Sequence, residues 1–130
     1  MNLLLRYDDR LRLLSFVGWC VIWLAIVWAI VDPSPVRIGF TSDKVIHFTS
    51  FFAISLACLT FCRSVRQLGL ASVFCAAAGV LLEITHYVIP RRSFELADMA
   101  ANVSGVATGA LIALFLLRVL QRRLMPAPAR

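Results

Sequence analysis

Residues 68–89 read LGLASVFCAAAGVLLEITHYVI, an apolar run whose polar exceptions include one carboxylate, Glu83, and one imidazole, His86. A run of about 20 predominantly apolar residues is long enough to cross the hydrocarbon core of a bilayer as an α-helix. The run contains no proline and only one carboxylate. We therefore predict a membrane-spanning helix over these residues.

Three further windows, residues 13–31, 45–62 and 97–120, are similarly long and apolar. Hydrophobic residues make up 61% of the 130 residues, and the mean hydropathy is +0.86. This is too apolar for a soluble domain of this size. The sequence predicts an all-α membrane protein, a single domain of four transmembrane helices over residues 1–130. The N-terminal arm is expected to form either a short interfacial helix or an extension of the first span.

The basic residues fit membrane topology better than nucleic-acid binding. The formal net charge is +6, but the arginines are spread along loops and helix ends instead of one face. Most lie in the N-terminal arm, the second loop and the C-terminal end: Arg6, Arg10, Arg12, Arg63, Arg66, Arg118, Arg122, Arg123 and Arg130. The first and third loops hold the rest: Arg37, Lys44, Arg91 and Arg92. By the positive-inside rule both termini are cytoplasmic, and loops one and three lie outside.

Polar residues gather at the predicted outer ends of three spans, in pairs that share a helix face at spacings of three or four residues. The pairs are Asp43 with His47, Glu83 with His86, and Asp98 with Asn102. A charge at the bilayer centre costs about 2.5–3.5 kcal/mol on insertion scales, so such residues usually pair or serve a function. We predict a polar pocket just below the outer membrane surface.

Each polar residue has a functional and a structural interpretation. The candidates for acid–base chemistry are Asp43, His47, Glu83 and Asp98. The candidates for ligand binding are Lys44, His86, Arg91, Arg92 and Asn102. The structural alternatives differ from residue to residue. They are interfacial anchoring for Arg91 and Arg92, a helix-start residue for Asp43, a satisfied interior histidine for His47, an interhelical hydrogen bond for Asn102, and an ion pair with Arg91, Arg92 or Lys44 for Glu83. We expect no cofactor; the alternative is a divalent metal on His47, Glu83, His86 and Asp98.

Small residues indicate where helices approach closely. Ala101, Gly105 and Gly109 form a stripe with a four-residue spacing on the fourth span. The small residues at 76–79 make the third span its expected partner. The four cysteines fall inside predicted spans, where we expect them to be apolar packing residues without a disulfide framework.

Four motifs together resemble the VanZ-like family of small bacterial membrane proteins. The family pattern runs Asp-Lys-x-x-His-Phe, Glu-x-x-Gln, Pro-x-Arg and Asp-x-x-x-Asn-x-x-Gly. This chain has DKVIHF at 43–48, EITH at 83–86, PRRS at 90–93 and DMAANVSG at 98–105. His86 stands where the family usually has glutamine, which replaces a neutral amide with a group that can titrate or bind metal.

The resemblance implies a multi-pass protein of the bacterial cytoplasmic membrane, in a family associated with low-level resistance to teicoplanin. The expected function is the binding or processing of an anionic lipid-linked cell-envelope precursor or a polar lipid, with Arg91, Arg92 and Lys44 holding its anionic group. A proton-coupled transporter and a non-enzymatic assembly partner in the envelope remain alternatives. No serine–histidine–acid order or cysteine–histidine arrangement is identifiable, so the sequence leaves open whether the chain is an enzyme.

Overall fold

The computed structural model describes the backbone of residues 2–31, 43–89 and 93–124, and the side chains of residues 9–29, 43–89 and 93–122. Within these ranges the chain is helical and has no strand. The helices are α1 (Asn2–Val31), α2 (Asp43–Ala57), α3 (Val65–Thr85) and α4 (Leu96–Leu124). A short 3₁₀ turn, Cys58–Thr60, continues α2.

All four helices contain a segment long and apolar enough to cross a membrane. These segments are Asp9–Ala29, Asp43–Thr60, Val65–Thr85 and Leu96–Arg122. Large apolar side chains cover the outside of the bundle, and Leu24, Val73 and Phe115 are each mostly exposed. Soluble monomers rarely expose contiguous apolar surface of this kind, whereas lipid covers it. The prediction of an all-α membrane protein with four spans is confirmed.

The N-terminal arm and the first span form one uninterrupted helix, so the arm extends the span instead of forming a separate interfacial helix. Arg12 donates from Nε and Nη2 to the carbonyl oxygen of Phe61, at 3.1 and 2.6 Å. Nη2 of Arg63 donates to Oδ1 of Asp9 at 2.8 Å, and Nε2 of Gln121 donates to the carbonyl oxygen of Arg63 at 3.1 Å. These contacts hold the start of α1, the α2–α3 connection and the end of α4 at one end of the bundle.

The closest helix pair is α2 with α4. A Cβ built on Gly109 would lie 2.6 Å from the carbonyl oxygen of Phe52, and one on Gly105 would overlap the backbone of Phe48. The hydroxyl of Ser55 donates to the carbonyl oxygen of Val106 at 3.0 Å, which ties the two helices across the same contact. Glycine is required here because any side chain would force the two backbones apart.

The prediction that the glycine stripe of α4 packs against α3 is therefore wrong. The small residues of α3 serve a different purpose, since a Cβ on Gly79 would lie 2.7 Å from the ring of Phe51 and 3.1 Å from Cβ of Asn102. Gly79 thus makes room for side chains of α2 and α4 that fill the space between the three helices. The backbone-to-backbone contact goes to α2 instead.

Helix α1 packs on the other three mainly through tryptophans. Nε1 of Trp19 donates to the carbonyl oxygen of Ile54 at 2.9 Å, and the ring of Trp23 lies edge-on to Phe51 at 5.6 Å. Trp28, by contrast, is 77% exposed on the lipid-facing side. All four cysteines are free, and three of them are buried in the core: Cys58, Cys62 and Cys75.

Candidate functional site

The end of the bundle opposite Arg12 and Gln121 gathers eight polar side chains from α2, α3, α4 and the segment before α4. We call this set the polar cluster: Asp43, Lys44, His47, Glu83, His86, Glu95, Asp98 and Asn102. Five of these side chains are buried, although the helices that carry or adjoin them are mainly apolar: His47, Glu83, His86, Asp98 and Asn102.

Asn102 links three helices through one side chain. Its Nδ2 donates to the carbonyl oxygen of Gly79 on α3 at 3.2 Å, and its Oδ1 lies 3.0 Å from Nδ1 of His47 on α2. Because Oδ1 of an amide only accepts, Nδ1 of His47 must carry the proton. In the neutral imidazole, Nε2 of His47 therefore presents a lone pair.

Lys44 is paired with two acids. Its Nζ donates to Oε2 of Glu95 at 2.8 Å and lies 3.4 Å from Oδ1 of Asp98. The hydrogen bond from Lys44 lowers the pKa of Glu95, because it stabilises the carboxylate form. Asp98 itself is 4% exposed, and its Oδ1 receives no well-aligned hydrogen bond from the described residues.

Glu83 is completely buried and bridges α3 to the start of α4. Its Oε1 accepts a hydrogen bond from the backbone N–H of Glu95 at 2.8 Å. Its Oε2 lies 3.3 Å from Nδ1 of His86, the residue directly after α3. That second contact has the distance of an ion pair but lacks the alignment of a good hydrogen bond.

The two histidines connect the polar residues of α2 to Glu83 of α3. The ring of His47 meets the ring of His86 edge-on, with 6.5 Å between centroids. On its other side, Nε2 of His47 lies 3.9 Å from Oδ1 of Asp43. One potential ligand atom each from Asp43, His47 and Asp98 lies within 4.8 Å of the others, so these three residues can hold a divalent ion.

The structure brings together all the predicted site residues that it describes, although their functional roles stay predictions. Arg91 and Arg92 lie outside the described residues. Lys44, predicted to bind an anionic ligand together with them, is instead engaged by Glu95 and Asp98. Of the predicted metal candidates, Glu83 and His86 pair with each other and fall outside the group of three.

Sequence reasoning missed the part played by Glu95, which binds Lys44 with its side chain and Glu83 with its backbone N–H. It also missed the carbonyl of Gly79 as a polar member of the site. A signal for Glu95 did exist, since it lies three residues before Asp98 and directly precedes the first helical residue, Leu96. Nothing in the sequence marks one backbone carbonyl of a helix as an acceptor.

The described part of the polar cluster is acidic. Four carboxylates accompany Lys44, the only lysine of the chain. Such an arrangement accepts hydrogen bonds from hydroxyl or ammonium groups and binds cations, and its imidazoles can exchange protons. An anionic group would need additional positive charge. Arg91 and Arg92, which lie in the sequence between α3 and α4, can supply it.

A family model described as VanZ/LLP1 matches residues 7–118 of the chain, a range that holds the first three membrane-spanning segments, most of the fourth and the whole polar cluster. No curated protein matches the chain, and no solved structure does.

Proposed function

Because this chain belongs to the VanZ/LLP1 family and is a multi-pass membrane protein, we propose that it binds the polar headgroup of a membrane lipid or of a lipid-linked cell-envelope precursor. The observation that carries the proposal is the burial of Glu83 and Asp98, at 0% and 4% exposure, in the end turns of apolar helices. Buried carboxylates in spans are costly and mark functional sites by default.

The polar cluster and the two arginines, Arg91 and Arg92, bind different parts of the headgroup. Carboxylates and imidazoles accept hydrogen bonds from hydroxyl or amine groups of a sugar or amino-acid moiety. Arg91 and Arg92 bind the phosphate, since a guanidinium offers two parallel donors to such an anion. In this division Lys44 orients Glu95 and Asp98 instead of touching the anion, which fits its short contacts to both.

An apolar groove between α1 and α3 supports a ligand with a hydrocarbon chain. The groove has a volume of about 490 Å³. Its lining residues lie between Trp19 and Val27 on α1 and between Phe74 and Thr85 on α3, and they expose no polar surface to it. Thr85 immediately precedes His86 of the polar cluster. A lipid tail in this groove would thus run toward the headgroup site.

The proposal takes the membrane to be the bacterial cytoplasmic membrane and the polar cluster to face outward, as the arginine distribution predicts. Lipid-linked precursors of the envelope are exposed on that side once they have been moved across. The association of the VanZ-like family with teicoplanin resistance makes such a precursor the first ligand to test.

A purely structural role in the envelope is the second candidate. It is favoured by the way Asn102 and Glu83 tie α2, α3 and α4 together through hydrogen bonds. Under this alternative, substitutions in the polar cluster lower the stability of the bundle but leave no separate loss of ligand binding.

Native mass spectrometry of the full chain tests the proposal, with a polyprenyl phosphate as the probe and phosphatidylcholine as the comparison lipid. We expect Arg92→Ala to reduce retention of the polyprenyl phosphate about tenfold while the protein stays monodisperse. Arg118→Ala, at the opposite end of the bundle, is the matched control. Equal retention by the wild type, Arg92→Ala and Asp98→Asn would reject headgroup binding and favour the structural role.

A further inference from the structure

We propose that Asp43, His47 and Asp98 form a binding site for a first-row divalent cation such as Zn²⁺ or Mn²⁺. One ligand atom from each residue already lies within 4.8 Å of the other two. In a tetrahedral site with bonds of about 2.0–2.1 Å, ligand atoms are roughly 3.4 Å apart. Closing the site therefore needs the ligand atoms to approach one another by up to about 1.4 Å. Asp43 can supply part of this movement because its side chain is 60% exposed.

The orientation of His47 is what a metal ligand requires. Asn102 accepts from Nδ1 at 3.0 Å, and its own orientation is fixed because Nδ2 donates to the carbonyl oxygen of Gly79. The lone pair is thereby left on Nε2, the nitrogen that faces Asp43. Metal-binding histidines characteristically donate their second ring N–H to such a partner, which fixes the tautomer.

Asp98 supplies the second, independent indication. The side chain is almost fully buried, yet its Oδ1 has no well-aligned hydrogen bond from the described residues. Lys44 lies 3.4 Å from this oxygen, but its hydrogen bond goes to Glu95. A buried carboxylate oxygen without an aligned donor is costly. A cation between Asp98 and Nε2 of His47 would satisfy that oxygen.

The local charge also favours a divalent ion. Asp43, Glu95 and Asp98 are three negative groups around one positive group, Lys44. Lys44 lies closer to Glu95 than to Asp98, at 2.8 against 3.4 Å, so it can remain on Glu95 when a metal takes Asp98. A divalent cation would bring the sum of these charges to zero, which matters where neighbouring groups are apolar.

Glu83 and His86 are not ligands in this proposal. Oε1 of Glu83 is occupied by the backbone N–H of Glu95, and Oε2 faces Nδ1 of His86. The proposed site therefore differs from the set of metal ligands predicted from the sequence, which included Glu83 and His86 and lacked Asp43. The imidazole nitrogen favours Zn²⁺ over Mg²⁺, which prefers oxygen ligands and retains its water. The two carboxylates also suit Mn²⁺.

The test uses the tag-free full chain in detergent, stripped with a chelator, loaded with Zn²⁺ and passed over a desalting column before elemental analysis. We expect about one zinc per chain in the wild type and clearly less in Asp43→Asn, because an ion that has lost one of its three protein ligands dissociates during desalting. Asp9→Asn is the matched control, because Asp9 is an aspartate of similar exposure at the other end of the bundle. Since Asp43 is exposed, its substitution should not prevent folding.

Mn²⁺ titration repeats the comparison with an ion that thiolates hold poorly, which separates the proposed site from the four cysteines. His86→Gln should keep the metal. Equal metal content in the wild type and Asp43→Asn would overturn the proposal, as would loss of metal in His86→Gln. The measurement needs no lipid, so its outcome is independent of whether the headgroup proposal holds.

Discussion

The backbone N–H of Glu95 donates a hydrogen bond to Oε1 of Glu83 at 2.8 Å, so a side chain near the end of α3 fixes the start of α4. Glu95 directly precedes the first residue of α4, and its carbonyl oxygen accepts from the N–H groups of Asp98 and Met99. One buried carboxylate therefore positions the first turn of α4, the turn that carries Asp98 into the polar cluster.

Glu83→Ala should destabilise the bundle by about 1–3 kcal/mol, because it leaves the N–H of Glu95 without its acceptor. Glu83→Gln should cost less, since the amide oxygen still accepts from that N–H. Unfolding in detergent–SDS mixtures would measure both free energies. Faster deuterium exchange at the Glu95 amide in Glu83→Ala would confirm the cause, and equal stability of the two variants would contradict it.

Gly109→Ala should weaken the α2–α4 contact by about 1–3 kcal/mol, because the added methyl group meets the backbone of Phe52. Gly18→Ala and Gly69→Ala are the matched controls, since a Cβ at either position meets nothing within 4 Å. Thermal unfolding in detergent should show a lower midpoint for Gly109→Ala alone. A midpoint that rises in all three variants would mean that the higher helix propensity of alanine, and not close packing, governs these positions.

In its neutral form, His47 should carry its proton on Nδ1 and leave a lone pair on Nε2, because Oδ1 of Asn102 accepts from Nδ1. The chain has two histidines, so His86→Gln leaves His47 as the only imidazole, and ¹⁵N NMR then reports its tautomer directly. Adding Asn102→Ala to that background should produce a mixture of tautomers. A neutral imidazole with its proton on Nε2 in the His86→Gln protein would contradict the hydrogen-bond assignment.

Lys44→Gln should tighten binding of Zn²⁺ to the polar cluster several-fold, because it removes a positive charge 3.4 Å from Oδ1 of Asp98. Competition with a chromogenic chelator would measure the change in affinity. Arg63→Gln, which removes a positive charge at the opposite end of the bundle, serves as the control. Weaker zinc binding in Lys44→Gln would show that Lys44 organises the site instead of competing for it.

The Lys44–Glu95 pair should contribute stability at neutral pH and lose it in acid. Lys44 lowers the folded-state pKa of Glu95, so the contribution is present above the unfolded value of about 4.3 and disappears as the pH falls through the lower, folded value. The midpoint of thermal unfolding should therefore be higher for the wild type than for Glu95→Gln at pH 7, and the gap should close as the pH falls through the folded-state pKa of Glu95. A gap that stays constant with pH would exclude an ionic origin.

Much of the fold was predictable because lipid imposes a simple rule on sequence. Residues 68–89 could be assigned to a span from their length and apolar character alone, and α3 follows as Val65–Thr85. The helix ends were less predictable. Helix α3 ends at Thr85, after which the N–H groups of His86, Tyr87 and Val88 each donate to the carbonyl oxygen three residues earlier. The proline at 90 disfavours helix just before it, but does not fix the last residue.

The polar cluster was predictable as a set of side chains at one level, because Asp43, Glu83 and Asp98 each lie near the end of an apolar run on the same predicted side. Its pairing was not predictable. Helical spacing relates Glu83 to His86 within α3, but it does not relate Glu83 to the backbone of Glu95, or Asn102 to the carbonyl of Gly79.

The amino-acid sequence alone determined the number of spans, their approximate bounds and the depth of the polar side chains, because these depend on hydrophobicity and rise per residue along one chain. Only the tertiary structure decided that the glycines of α4 contact α2, that Lys44 forms ion pairs with acidic side chains, and that Nε2 of His47 faces Asp43. These features depend on how helices rotate and approach one another, which is set by close packing between distant residues and leaves no periodic signal in the sequence.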